Sequence, residues 1–367
     1  MHDLRDLFAN RVFQIIAIGL GSLVILLAIL GTPDRPLVLS SWAGGGSANA
    51  PTSVLGFPPG RTGDPPSGAR RVGISSQFFP VATPAAPGSA ALSAYTQAST
   101  AIDEVGAGAI QYYRRDLPGG SLHFVVVALD GRSEIAVITA NGARLTSDAT
   151  GDTAWADGGK HLAPVASMAQ APYAVRPNAT LVAAMAFGFH GARTADEGTV
   201  VIDGVIQRIN AGRSALCIDR NDRASIGVFD DRKAALCRQA AGAGPIAMWA
   251  GKVTNPAVGE ESERFLPFNP FGEDFVQDEW RRTVYSGSYP KTFIGIGRHS
   301  AGHDYLVFLT SYGVDGVTAV QALREMGCTS AIAGDDDTST QLVWRGQLIS
   351  GGEGRPVPTA IGIYLRQ

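Results

Sequence analysis

The chain has 367 residues, more than one ordinary domain needs, with 17% charged residues and a formal net charge of −3. That balance leaves no basic surface, which argues against nucleic acid as a partner.

Val12 to Leu30 is an uncharged apolar run, long enough to cross a bilayer, and predicts a transmembrane helix over residues 11–31 after a short terminus, residues 1–10. A cleaved signal peptide is the competing reading, but no small-x-small site follows cleanly before Thr32-Pro33. Arg5 and Arg11, partly offset by Asp3 and Asp6, point to a cytoplasmic N-terminus with the bulk of the chain outside. In a bacterium that means single-pass anchoring in the inner membrane and a periplasmic C-terminal domain. Ala17 and Gly21 stand at the small-xxx-small spacing that admits a second membrane helix, although glycines are common in such helices anyway.

Residues 32–88 are rich in Pro, Gly, Ser and Ala and read as a tether, interrupted by the adhesive Phe78-Phe79. Residues 89–120 are expected to be a helical connector, with Leu92, Tyr95, Ile102 and Val105 on one face and Gly106 at its end. The domain proper is expected over residues 121–367. Ser121 to Leu129 and Glu134 to Ile138 read as strands joined by Asp130-Gly131. Ala163 to Ala174 reads as a short helix and Thr180 to Phe189 as a buried strand. Val200 to Ile206 and Ala215 to Phe229 read as hairpins, the second turning at Asn221-Asp222. Arg232 to Ala240 reads as a helix.

Residues 259–290 form a long segment bearing Phe265, Phe268, Phe271, Phe275, Trp280, Tyr285 and Tyr289. A segment so long without periodicity either spreads on a partner, with Phe271, Phe275 and Trp280 as anchors, or covers the domain's own core. Cys217, Cys237 and Cys328 allow one disulfide, with Cys217 and Cys237 the candidate pair, or buried free thiols.

The last eighty residues carry the densest signals. Tyr289 to Gly297 and Asp304 to Leu309 read as strands. A helix follows, with Thr318 and Gln321 at capping-box spacing, Val317, Val320, Leu323 and Met326 recurring, and Gly327 as its C-terminal cap. The strand Thr329 to Ala333 runs into Gly334-Asp-Asp-Asp-Thr-Ser339. Gln341 to Trp344 and Gln347 to Ser350 flank Arg345-Gly346 as a hairpin, and Ala360 to Leu365 reads as the closing strand.

This order, with Lys-Thr, Ile-Gly-Ile, a helix ending in Gly-Cys, the Asp and Ser of the acidic loop, and Arg355-Pro-Val-Pro358, resembles the phosphodiester glycosidase domain family. Upstream, Ala183 to His190, Gly198 to Val205 and Gly244 to Val253 match three further family segments. The resemblance implies an α/β (α+β) domain with a twisted mixed sheet flanked by helices, and hydrolysis of sugar phosphodiesters. It also implies where the chemistry would sit: Asp335, Ser339, Lys291 and Thr292, with His190 a candidate general acid or base. The family's Asn-Gly-Gly turn reads Ala186-Phe187-Gly188 here. Its Arg-Thr pair reads Lys291-Thr292, which loses the bidentate fork that grips phosphate. Its Asp-Gly-Arg segment reads Thr310-Ser311-Tyr312, and its glycine-rich loop has become Asp335-Asp336-Asp337.

Carboxylates set where phosphate charge should lie oppose such a substrate, each contact at about 4 Å costing on the order of 4 kcal/mol at an effective dielectric near 20. A solvated acidic turn is expected. The alternative is that Asp335, Asp336 and Asp337 hold calcium or magnesium; otherwise no cofactor is expected. Lys291 either pairs with one of these acids or keeps a residual anion contact.

Two functions of different class follow. One is an inactive descendant of the family, serving as an accessory subunit beside other integral membrane proteins. The other is a divergent hydrolase of sugar phosphodiesters or envelope glycans.

Overall fold

The computed structural model describes residues 88–140, 162–189, 198–253, 273, 287–351 and 354–367, all within the unit Ile74–Gln367. The apolar run at Val12 to Leu30, Ala17, Gly21, Phe78, Phe79, His190, Phe271, Phe275 and Trp280 lie outside the described residues. Among the described residues no helix is long and apolar enough to cross a membrane.

Helix α1 (Gly88–Gln97) leads into strands β1 (Thr100–Val105), β2 (Ile110–Leu117), β3 (Gly120–Leu129) and β4 (Ser133–Thr139). Helix α2 (Val165–Gln170) precedes β5 (Ala179–Ala186), and β6 (Val200–Ile202), β7 (Val205–Arg208), β8 (Ser214–Asp219) and β9 (Ala224–Val228) follow. The one-turn helix α3 (Asp231–Ala234) gives way to β10 (Cys237–Gly242), β11 (Ile246–Trp249) and β12 (Lys252–Val253). Strands β13 (Lys291–Arg298) and β14 (Asp304–Tyr312) lead to helix α4 (Gly316–Glu325). Strands β15 (Cys328–Ala333), β16 (Gln341–Trp344), β17 (Gln347–Gly351) and β18 (Thr359–Arg366) close the chain.

These strands form an eight-stranded sheet, β1-β2-β3-β14-β13-β15-β11-β12, and two five-stranded sheets, β7-β6-β10-β8-β9 and β17-β16-β5-β18-β4. The named strand pairs are antiparallel, which corrects the expected mixed sheet. The fold is dominated by strands and has few helices. Alternation along β14 explains the arrangement: Leu306 and Phe308 enter a core shared by all three sheets, while Tyr305, Val307 and Leu309 enter a second core beneath α4 and α1. A strand buried on both faces needs a continuous apolar run, and Tyr305 to Leu309 supplies one.

Two helix expectations are cut short by strands. The connector helix stops at Gln97, and Ile102 and Val105 belong to β1, which pairs with β2 at the edge of the large sheet. Arg232 to Ala240 is helical only through Ala234. Its remainder is β10, paired with β8 and bonded to it by a Cys217–Cys237 disulfide, while Cys328 is a buried free thiol. Strands β3 and β4, joined through Asp130-Gly131, do not pair with each other; they turn the corner between two sheets. The three hairpins stand as expected, with positive φ at Asp203, Asp222 and Arg345. Helix α4 is capped by Asp315, whose carboxylate accepts from the Thr318 amide at 2.8 Å, one turn ahead of the Thr318/Gln321 reading. Gly327 adopts φ +79 at its end, as expected. Of the aromatic segment, Glu273 and residues 287–290, Tyr289 among them, are described. The Glu273 carboxylate accepts from the Ser214 amide at 2.9 Å and the Ile246 amide at 2.8 Å, tying the segment to β8 and β11.

Candidate active site at the head of strand β13

The acidic loop begins where β15 ends and is stitched to two neighbours. The Gly334 amide donates to the Thr292 carbonyl at 2.9 Å, Asp335 to Phe187 at 2.8 Å and Asp337 to Pro290 at 2.8 Å. Gly334 has to be glycine, because a Cβ there would meet the Phe187 ring at 2.7 Å. Asp337 takes φ +54 and starts a single 3-10 turn, Asp337–Ser339. The loop therefore lies against the head of β13 and the segment after β5, where the sequence placed the altered motifs.

The expected site residues fall on two faces of the sheet. Successive β13 residues point to opposite sides. Lys291 shares a side with Phe293, in the core under α4, and Thr292 shares the other with Ile294, in the central core. Lys291 is 1% exposed, and its Nζ stands 3.4 Å from Asp336 Oδ2 and 5.0 Å from the centre of the Tyr289 ring. Directly opposite on β14 is Ser311, fully buried, whose Oγ has no hydrogen-bond partner among the described residues. On the other face Thr292 Oγ1 donates to Thr340 Oγ1 at 3.2 Å, and Thr310 Oγ1 donates to Ser350 Oγ at 2.8 Å. Ser339 is buried, and its Oγ accepts from Arg355 Nη1 at 3.4 Å. Asp335 is also buried, and its Oδ1 accepts from the Asp336 amide at 3.0 Å.

Burial dominates the electrostatics of the pair. It pushes the Asp336 carboxyl up to about 6, against the opposing pull of Lys291, and pushes the Lys291 amine down, against the pull of Asp336 and then Asp337 and Asp315. An ion pair alone would shift each group the other way. The three acids that stand without a cation in sequence thus gain one in space, from a lysine 45 residues away.

This corrects the expectation of a purely solvated turn: Asp335 and Asp336 are buried, and only Asp337 of the three is exposed. Among the described residues no group of three His, Cys, Asp or Glu side chains comes together to hold a metal. Arg355, which the sequence shows only within the Arg-Pro-Val-Pro motif, is exposed and reaches Ser339, a site residue not expected from sequence. Its signal was an arginine ahead of two prolines that fix the approach to the last strand.

The sequence profile of the phosphodiester glycosidases matches residues 179–364, from the first residue of β5 to near the end of β18. The chain belongs to the phosphodiester glycosidase family. No match is found among the curated proteins. Among solved structures the chain is similar to a hypothetical protein from Synechocystis, at 13% identity and a TM-score of 0.51, over 70% of this chain and 62% of that one. It thus spans less than two thirds of that protein's length, and at this identity the likeness is one of fold. The zebrafish N-acetylglucosamine-1-phosphodiester alpha-N-acetylglucosaminidase catalytic domain, auto-inhibited by its pro-peptide, is similar at 15% identity and a TM-score of 0.47, over 73% of this chain and 81% of that one. The phosphodiester glycosidase match includes the acidic loop, Lys291 and Arg355, so the altered positions lie inside the family's own span.

Proposed function

We propose that this member of the phosphodiester glycosidase family has given up sugar-phosphodiester hydrolysis and serves as a membrane-anchored accessory subunit. The observation that carries the proposal is the Lys291–Asp336 pair: the cation at the family's Arg-Thr position is buried and occupied by a carboxylate from the altered loop. A phosphate would have to displace Asp336 and lie among its neighbours Asp335 and Asp337, a like-charge arrangement that opposes binding.

The anchoring half of the proposal rests on sequence. Val12 to Leu30 would cross the inner membrane and hold the domain in the periplasm. Ala17 and Gly21 would meet another membrane helix, and Phe78, Phe79, Phe271, Phe275 and Trp280 would bury against a partner subunit.

One observation favours the second reading, a divergent hydrolase: Arg355 is an exposed guanidinium beside the Ser339 hydroxyl, a pair able to receive an anion. One assay separates the two. Incubating the purified protein with N-acetylglucosamine-1-phosphodiesters should release no sugar. Release that disappears in Asp335→Asn and Arg355→Ala would establish the hydrolase instead.

A further inference from the structure

We propose that the side chains of Lys291 and Asp336 condense into an amide, a covalent crosslink that fastens the head of β13 to the loop after β15. The two groups already face each other, with Nζ 3.4 Å from Oδ2, so attack on Cγ starts from a held contact and not from a chance encounter. Lys291 is 1% exposed and Asp336 is 8% exposed, so bulk water has little access to reverse the reaction.

The charged pair and the neutral pair, amine facing carboxylic acid, differ only in where one proton sits. Burial penalises the charged arrangement. The neutral arrangement is the reactive one: the Nζ lone pair attacks Cγ of Asp336, a C–N bond forms, and the Cγ–Oδ2 bond breaks. The leaving hydroxyl takes one Nζ proton and departs as water. Atoms and electrons balance without an oxidant, a reductant or a second substrate.

Two neighbours fit this chemistry. Asp337 follows Asp336 directly in the loop and is exposed, which puts a further carboxylate at the solvent side of the pair to take up and return a proton. Ser311 stands opposite Lys291 in the β13–β14 register, on the same face, with a buried hydroxyl that meets no acceptor among the described residues. Cross-strand partners hold their Cβ atoms about 5 Å apart, which sets the Ser311 hydroxyl beside the Lys291 side chain. The crosslink would lie beside a hydroxyl that has no hydrogen-bond partner among the described residues. It does not depend on whether the domain hydrolyses anything.

The test is mass spectrometry on the reduced, denatured full chain, beside Lys291→Arg and Asp336→Ala, so that any processing of the termini cancels. The wild-type chain should be lighter than its sequence by one water, and both variants should match theirs after correction for the substitution. Trypsin should leave Thr283–Arg298 joined to Glu325–Arg345, with no cleavage after Lys291. A wild-type mass equal to the sequence value, with Thr292–Arg298 released as a free linear peptide, overturns the proposal. Should a variant fail to fold, the wild-type peptide map alone decides.

Discussion

Where β4 and β18 meet the sheet of β10, Arg176, Arg238 and Arg366 share Glu134, Asp203 and Asp222, with N–O distances from 2.5 to 3.6 Å. At the head of β13 one lysine faces one carboxylate at 3.4 Å. In the first cluster every charge has at least one partner, and the planar guanidiniums keep an edge in water, so little hydration is given up. In the second both groups are buried, and burial outweighs attraction for each. The comparison teaches that ion pairs of similar distance play opposite parts. The arginine cluster rivets two sheets at modest cost, whereas the lysine pair stores a cost that neutralisation, by a proton or by a bond, would relieve.

Lys291→Met should have the largest effect. Stranding a buried carboxylate should lower stability in urea unfolding by about 3–5 kcal/mol at pH 7, and Lys291→Met with Asp336→Leu should be more stable than the single variant. Equal stability of the single variant and the wild type would make the two clusters equivalent after all.

The same variant tests the sign of the electrostatics. The folded Asp336 carboxyl is raised by burial to about 6 even with Lys291 present, and losing Lys291 removes a lowering influence. A carboxyl whose folded pKa exceeds its unfolded value, about 3.9, contributes stability that is fully present below about 3.9 and lost as pH rises through the folded value. The penalty of Lys291→Met should therefore be largest at pH 7 and shrink as pH falls through 6 toward 4, read as the difference in unfolding free energy from wild type. A penalty constant across that window would place the carboxyl in water.

The smallest effect belongs to the arginine cluster. Asp222→Ala leaves Arg238 and Arg366 with Glu134 and an open edge, and should cost about 1 kcal/mol or less, decreasing with added salt.

Sequence carried the fold where local chemistry and burial agree. Asp203-Gly204 and Arg345-Gly346 announce their hairpins because each turn needs positive φ, and Tyr305 to Leu309 announces a strand buried on both faces. It failed where composition and packing disagree. In β10 the run Cys237-Arg-Gln-Ala-Ala-Gly has alanines that suit a helix, yet the disulfide and the pairing with β8 hold it extended. The polar β2, Ile110-Gln-Tyr-Tyr-Arg-Arg-Asp-Leu117, lies next to the sheet edge, where alternation is muted. At the site, the acidic loop and Lys291 stood out as residue types, and a pair between them was one of two readings. Their burial, the split of Lys291 from Thr292 across the sheet, and the stranded Ser311 hydroxyl depend on strand register, which no short stretch of sequence encodes.

Cys328 lies beneath α4, its sulfur so near Gly295 that a Cβ there would stand 2.7 Å from it. Burial pushes its thiol well up from the ordinary range, so the thiolate that would attack a disulfide is scarcely populated. Formation of the Cys217–Cys237 disulfide then faces no ambiguity of partner once the fold has closed. The third cysteine is withheld from exchange, and the chain should handle in air as a monothiol that neither dimerises nor labels until it is unfolded.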